Sequence, residues 1–112
     1  MKRVPLLLGH LKNYLIKAML KIYISGKITG LDNFMDLFRL AEIELKQLGY
    51  KVCNPALLPH DHDHTWQSYM REDICHLMKC KGIYMLSNWK RSKGARIEWI
   101  IAYLLNYKIM YQ

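Results

Sequence analysis

A chain of 112 residues that is 52% hydrophobic is long enough for one packed domain and too short for two, and its apolar content argues against a disordered tail. A formal net charge of +8 suits a phosphate-bearing partner, nucleic acid or mononucleotide, without choosing between them; much of it (Lys2, Arg3, Lys12, Lys17, Lys21) sits in the first segment. The cysteines Cys53, Cys75 and Cys80 are odd in number and form no CxxC pair, which argues against a disulfide scaffold and fits a reducing cytoplasm.

Lys2 and Arg3 before Leu6-Leu7-Leu8 imitate the start of a signal peptide. The apolar run breaks at His10, Lys12 and Asn13, and no small-residue cleavage site follows. No stretch approaches the roughly 18 apolar residues of a membrane span. The spacing predicts an amphipathic helix with Leu8, Leu11, Leu15 and Met19 on one face. Met19 also reads as a translation start, so residues 1–18 are taken as an N-terminal extension and 19–112 as the domain.

Residues 20–25 (LKIYIS) are a short apolar run ended by Gly26, the pattern of a buried strand. A loop through Gly30 leads to Asp32 or Asn33, either able to cap a helix over 34–48. On that helix Leu37, Leu40, Ala41, Ile43 and Leu45 recur at helical spacing, and Gly49 ends it. Residues 50–53 form a second strand, stopped by Asn54-Pro55. After the polar loop 59–64, Thr65 caps a helix over 66–79. Residues 82–86 are a third strand, Ser92 caps a helix to about residue 106, and Lys108–Tyr111 is the last strand. The strands are uniformly apolar, as in sheets covered on both faces. The expected fold is α/β, a flavodoxin- or Rossmann-like three-layer sandwich with a parallel sheet in order 2-1-3-4, and any ligand site lies at the carboxyl ends of its strands.

Three segments follow or approach those ends. Tyr23-Ile24-Ser25-Gly26-Lys27-Ile28-Thr29-Gly30 offers glycines for close backbone approach, but it has neither P-loop nor GxGxxG spacing and also reads as an ordinary strand-to-helix turn. In Ser92-Lys93-Gly94-Ala95-Arg96-Ile97-Glu98, a capped helix start beside two cations suits an anion. Glu98 falls in the second turn of a helix apolar enough to be buried, where a shielded, ionised carboxylate can act as a nucleophile. The common alternative is a solvent-facing Glu98 paired with Arg91 or Arg96. Asp73, within an apolar-periodic helix, would have its pKa raised by burial and suit proton donation; it also reads as part of a surface cluster with Arg71 and Glu72.

KIYISGKITG, CNPA, TWQSYMREDI and SKGARIEWIIAYLL, in that order and spacing, resemble a small bacterial and phage family of unassigned function within the nucleoside 2-deoxyribosyltransferase-like superfamily. The resemblance covers nearly all of residues 19–112. It implies a glutamate that attacks C1′ of deoxyribose, expels the base and forms a covalent glycosyl-enzyme, resolved by water or another base. On this chain it implies Glu98 as nucleophile, Asp73 as the acid assisting the base, and Tyr23 as the group orienting Glu98. Ser25, Gly26, Ile28 and Gly30 fall in the loop that wraps the nucleotide, and Ser92 sits where monophosphate hydrolases of the superfamily carry a serine near the 5′-phosphate. Gly94 keeps side chains clear of the ligand. With Lys90, Arg91, Lys93 and Arg96 nearby, the expected activity is that of a 2′-deoxynucleoside 5′-monophosphate N-glycosidase or a nucleoside deoxyribosyltransferase. The resemblance also implies a homo-oligomer, a dimer or higher.

His60, His62 and His64, with Asp61 and Asp63, could bind a metal. Zinc sites usually draw ligands from more than one element, so a polar loop covering the ligand is the preferred reading, and no metal or cofactor is expected. Trp66, Tyr69, Trp89 and Trp99 could stack on a base, although large aromatics more often serve core or interface. The competing class is a non-catalytic nucleotide-binding or regulatory module. Nucleic acid is not the expected partner, since no helix-turn-helix, RNP-type aromatics or zinc-finger spacing is visible.

Overall fold

The computed structural model describes residues 6–112; Lys2 and Arg3 lie outside them. The elements are α1 (Leu6–Met19), β1 (Lys21–Ser25), α2 (Phe34–Gln47), β2 (Lys51–Cys53), α3 (Trp66–Met78), β3 (Gly82–Met85), α4 (Lys93–Leu104) and β4 (Lys108–Tyr111). The four strands form one parallel sheet in the order β2-β1-β3-β4. This is the expected α/β fold and strand order.

Sequence chemistry sets the helix ends. The Thr65 hydroxyl accepts the Ser68 N–H, and the Ser92 hydroxyl accepts the Ala95 N–H, each satisfying a donor that the first turn leaves free. Gly49 takes φ +98° after α2, where the N–H groups of Gly49 and Tyr50 close on the carbonyls of Lys46 and Leu45. Asn33 occupies the start of α2 but makes no side-chain cap.

Alternation along the central strands divides the core. Ile22, Ile24, Tyr84 and Leu86 pack beneath Phe38, Ala41 and Leu45 of α2. Tyr23, Ile83 and Met85 point the other way, toward Leu77 of α3 and Ala95 and Ala102 of α4. One expectation needs correction. Leu40 and Ile43 are 55% and 47% exposed, because the buried stripe of α2 runs through Phe38, Ala41 and Leu45 and turns those two outward. The helix expected before β1 forms as α1, but Leu8, Leu11, Leu15 and Met19 remain half or more exposed. Only its end meets the sheet edge, where the Lys17 ammonium lies 5.6 Å from the Tyr50 ring centre. No helix of the described residues is long and apolar enough to cross a membrane.

Gly82 opens β3 at a close contact with its neighbouring strands. A Cβ there would lie 2.6 Å from Ile22 Cδ1 and 3.1 Å from the Lys108 carbonyl oxygen. Ile22 is fully buried and the Lys108 contact is backbone, so the core must shift to admit a methyl group. Gly82→Ala is expected to destabilise the fold by about 1–3 kcal/mol, read as a lower denaturant midpoint at unchanged slope.

Candidate active site

Crossovers leave β1 and β3 in opposite directions, so the loops beyond their carboxyl ends part and leave a crevice. Two tethers hold the crevice floor. The Leu86 N–H donates to the Ser25 carbonyl, and the Lys27 N–H donates to Asn88 Oδ1. A cavity of about 290 Å³ occupies the crevice, close to the roughly 300 Å³ lower end for small-molecule sites. Its walls come from the β1 end and following loop (Tyr23, Gly26, Ile28), the start of α2 (Phe34, Phe38), α3 (Tyr69, Met70, Asp73) and the start of α4 (Ser92, Gly94, Glu98).

Glu98 is 5% exposed. Its carboxylate accepts a hydrogen bond of 2.5 Å from the Tyr23 hydroxyl and one of 2.7 Å from the Ser25 hydroxyl. Residues 23 and 25 share one face of β1, so the period of the strand aims both donors at α4. The lengths are those of hydroxyls bonded to a charged oxygen. Burial pushes Glu98 up to about 7, and the two hydroxyls pull against it by favouring the charged form. Burial, and then the charge of Glu98, raise Tyr23 well above its ordinary value, so its hydroxyl stays a donor. The buried carboxylate thus answers to Tyr23 and Ser25, and the arrangement with Arg91 or Arg96 is not adopted.

Asp73 is 9% exposed and lines the same cavity, with Oδ1 buried and without a hydrogen-bond partner. Burial pushes it up to about 7, the nearby charge of Glu98 adds to the rise, and His60 opposes it. Two carboxyl groups therefore face one cavity in unlike surroundings. Glu98 has two donors that stabilise its charge; the buried oxygen of Asp73 has none, and Asp73 is the better holder of a shared proton.

Of the remaining expected residues, Gly26, Ile28, Ser92 and Gly94 line the cavity, whereas Ser25 acts from behind Glu98. Gly30 does not line it; at φ +75° it makes the turn that leads into α2. Trp66 and Tyr69 reach the cavity wall. Trp89 and Trp99 instead stack on each other at 5.7 Å, and the Trp99 indole N–H donates to the Tyr111 hydroxyl. Cys53 and Cys80 are buried and Cys75 is exposed; none lines the cavity. Sequence reading missed Phe34 and Phe38, whose helical spacing signals core as readily as ligand contact. Beside the cavity a second recess of about 260 Å³ shares Thr29, Trp66, Ser92 and Gly94 with it and adds Lys27, Arg91 and Lys93. The Lys93 ammonium lies 4.6 Å from the centre of the Trp66 ring. This recess concentrates positive charge at the N-terminal end of α4.

The family model described as "Domain of unknown function (DUF4406)" matches residues 20–111. The chain belongs to this family. No curated protein matches the chain. Among solved structures, this DUF4406 domain is similar to a 2-deoxyribosyltransferase from Bacillus psychrosaccharolyticus, described as a biocatalyst for the synthesis of nucleosides. The two share 20% identity and a TM-score of 0.63, over 81% of this chain and 70% of that one. At that identity the likeness establishes a shared fold. Within the DUF4406 domain, Glu98, Asp73 and Tyr23 line one crevice.

Proposed function

We propose that the chain cleaves the N-glycosidic bond of 2′-deoxynucleoside 5′-monophosphates through a covalent glycosyl-Glu98 intermediate, as a hydrolase or a transferase. The observation that carries this reading is a buried carboxylate, held by two hydroxyls, that shares a cavity with a second, unpartnered carboxyl. The similar structure from Bacillus psychrosaccharolyticus, a 2-deoxyribosyltransferase, supports it.

The ionised Glu98 carboxylate attacks C1′ of the sugar. The bond from C1′ to the base nitrogen breaks through an oxocarbenium-like state, and its electron pair leaves with the base. Asp73, protonated, gives its proton to the departing base. Tyr23 and Ser25 hold the attacking carboxylate in place. In hydrolysis, a water then attacks C1′, Asp73 takes its proton, and the ester bond to Glu98 breaks. The products are the free base and 2-deoxyribose 5-phosphate. In transfer, a second base takes the place of water. Gly26 and Gly94 allow the backbone to approach the nucleotide, Ile28 offers it an apolar wall, and Gly30 shapes the turn of the loop behind them. Ser92, with Lys27, Arg91 and Lys93 around the adjoining recess, receives the 5′-phosphate.

Incubation with each 2′-deoxynucleoside and its 5′-monophosphate, with chromatographic assay of free base, tests the reading. Base release is expected, with KM at least ~10-fold lower for monophosphates than for nucleosides, because the phosphate adds charge-assisted hydrogen bonds. Absence of release from every monophosphate would overturn the enzyme. Nucleotide binding without release would then favour the non-catalytic module, for which the basic recess is equally suited.

A further inference from the structure

The loop between β2 and α3 carries a group of side chains that the proposed reaction does not use. His60 Nδ1 lies 2.6 Å from Glu72 Oε1, and His62 Nε2 lies 3.3 Å from Glu72 Oε2. One nitrogen or oxygen from each of the three falls within 4.8 Å of the others. All three side chains are between 14% and 24% exposed, so they are largely shielded without being sealed off. His62 Nε2 is buried and is not aligned for a hydrogen bond with the carboxylate beside it, so it has no partner. The Tyr69 ring packs edge-on against both imidazoles, at 4.9 Å from His60 and 4.4 Å from His62, and restricts their orientation.

We propose that His60, His62 and Glu72 bind one divalent transition-metal ion of the zinc class, which pins this loop to α3 at the edge of the cavity. Two imidazoles and one carboxylate are a ligand set that zinc accepts with a further position open. Imidazole donors favour zinc and its neighbours over magnesium or calcium. The ligands come from two elements, a loop and a helix, as is usual for zinc sites and as the histidine run by itself does not provide. In a tetrahedron with bonds of roughly 2.0–2.1 Å, neighbouring ligand atoms stand roughly 3.3 Å apart. The two contacts fall on different oxygens of Glu72, 3.3 Å from His62 to Oε2 and 2.6 Å from His60 to Oε1, so the carboxylate must turn to present one oxygen beside both imidazoles as the ion displaces the His60–Glu72 hydrogen bond.

A second contact must also yield. The His64 N–H donates to His62 Nδ1. An ion on Nε2 moves the remaining ring proton to Nδ1, and that hydrogen bond must break. His64 is outside the cluster: the ligand atoms that lie within 4.8 Å of one another come from His60, His62 and Glu72. His60 lines the cavity, so the ion sits where it can stiffen the wall facing a ligand. The site stands whether or not the cavity is catalytic.

The test is titration of the full chain, stripped with chelator, with Zn²⁺ and with Co²⁺. Calorimetry is expected to show one equivalent of Zn²⁺ bound at micromolar concentration, with a rise in Tm. His62→Ala and Glu72→Gln should each weaken binding at least ~10-fold and remove the rise in Tm, with circular dichroism unchanged. His64→Ala should bind as the native chain does. The Co²⁺ form should lack the intense near-ultraviolet band of thiolate ligation, separating this site from one built on the cysteines. No binding at micromolar Zn²⁺, undiminished binding in both ligand variants, or a thiolate band would each overturn the proposal.

Discussion

Glu98→Gln is expected to lower base release from deoxynucleoside monophosphates on the order of 10⁴-fold, while the fold and nucleotide binding persist. Glutamine keeps the shape of the side chain, and the hydroxyls of Tyr23 and Ser25 can rotate to meet its amide. It cannot form the ester with C1′. Intact-protein mass spectrometry of the native chain, quenched during turnover, should show an adduct of one deoxyribose phosphate that is missing from the variant. Full activity in Glu98→Gln would remove the nucleophile from the mechanism.

The same substitution changes stability with a defined sign. The folded chain holds Glu98 near 7, against an ordinary value of 4.5. Between those values the folded state keeps a proton that the unfolded state releases. The contribution of Glu98 to stability is therefore complete below about 4.5 and is lost as pH rises through about 7. Glu98→Gln removes this titration. Above pH 7 the variant should be more stable than the native chain by about 1–3 kcal/mol, with the gain shrinking toward pH 4.5. Denaturation at a series of pH values reads this directly. Activity runs the opposite way, since attack needs the charged form: the rate should fall on the acid side with an apparent pKa near 7. A variant that is less stable at pH 8 would show that ionised Glu98 holds the fold together and is not strained by burial.

Asp73→Asn is expected to cost roughly 10²–10⁴-fold with a natural base, the range for loss of a general acid. The cost should depend on the leaving group. A 2-deoxyribosyl phosphate carrying an activated aryl leaving group departs without protonation, so Asp73→Asn should cleave it at close to the native rate. Glu98→Gln should lose both substrates, because the nucleophile is needed for either. Comparison of kcat for the two substrates across the two variants separates the roles. An equal loss on both substrates in Asp73→Asn would assign that carboxyl to positioning, and its place in the cavity wall would then serve packing around Glu98.

Much of the architecture was legible because it rests on local chemistry. Thr65, Ser92 and Gly49 mark helix ends through hydrogen bonds and φ values that involve residues only a few positions away. Short, uniformly apolar runs between helices imply a parallel sheet covered on both faces, and the sheet has the expected order. Helical periodicity misjudged Leu40 and Ile43, since it shows that a helix has an apolar side but not how wide a strip its neighbours cover. The apolar spacing of α1 likewise predicted a helix without showing that its apolar residues would stay uncovered.

By itself, the sequence determined the order of strands and helices, the helix ends at Thr65, Ser92 and Gly49, and the presence of acidic groups at Asp73 and Glu98. These depend on periodicity and on contacts within a turn. Only the tertiary structure decided what those acids can do. The Tyr23 and Ser25 hydroxyls that hold Glu98 are 75 and 73 residues away from it, and Glu72 meets His60 from 12 residues away. A carboxyl group's charge and reactivity follow from the water it has lost and the donors it meets through space. Neither quantity is written in the spacing of residues along a chain.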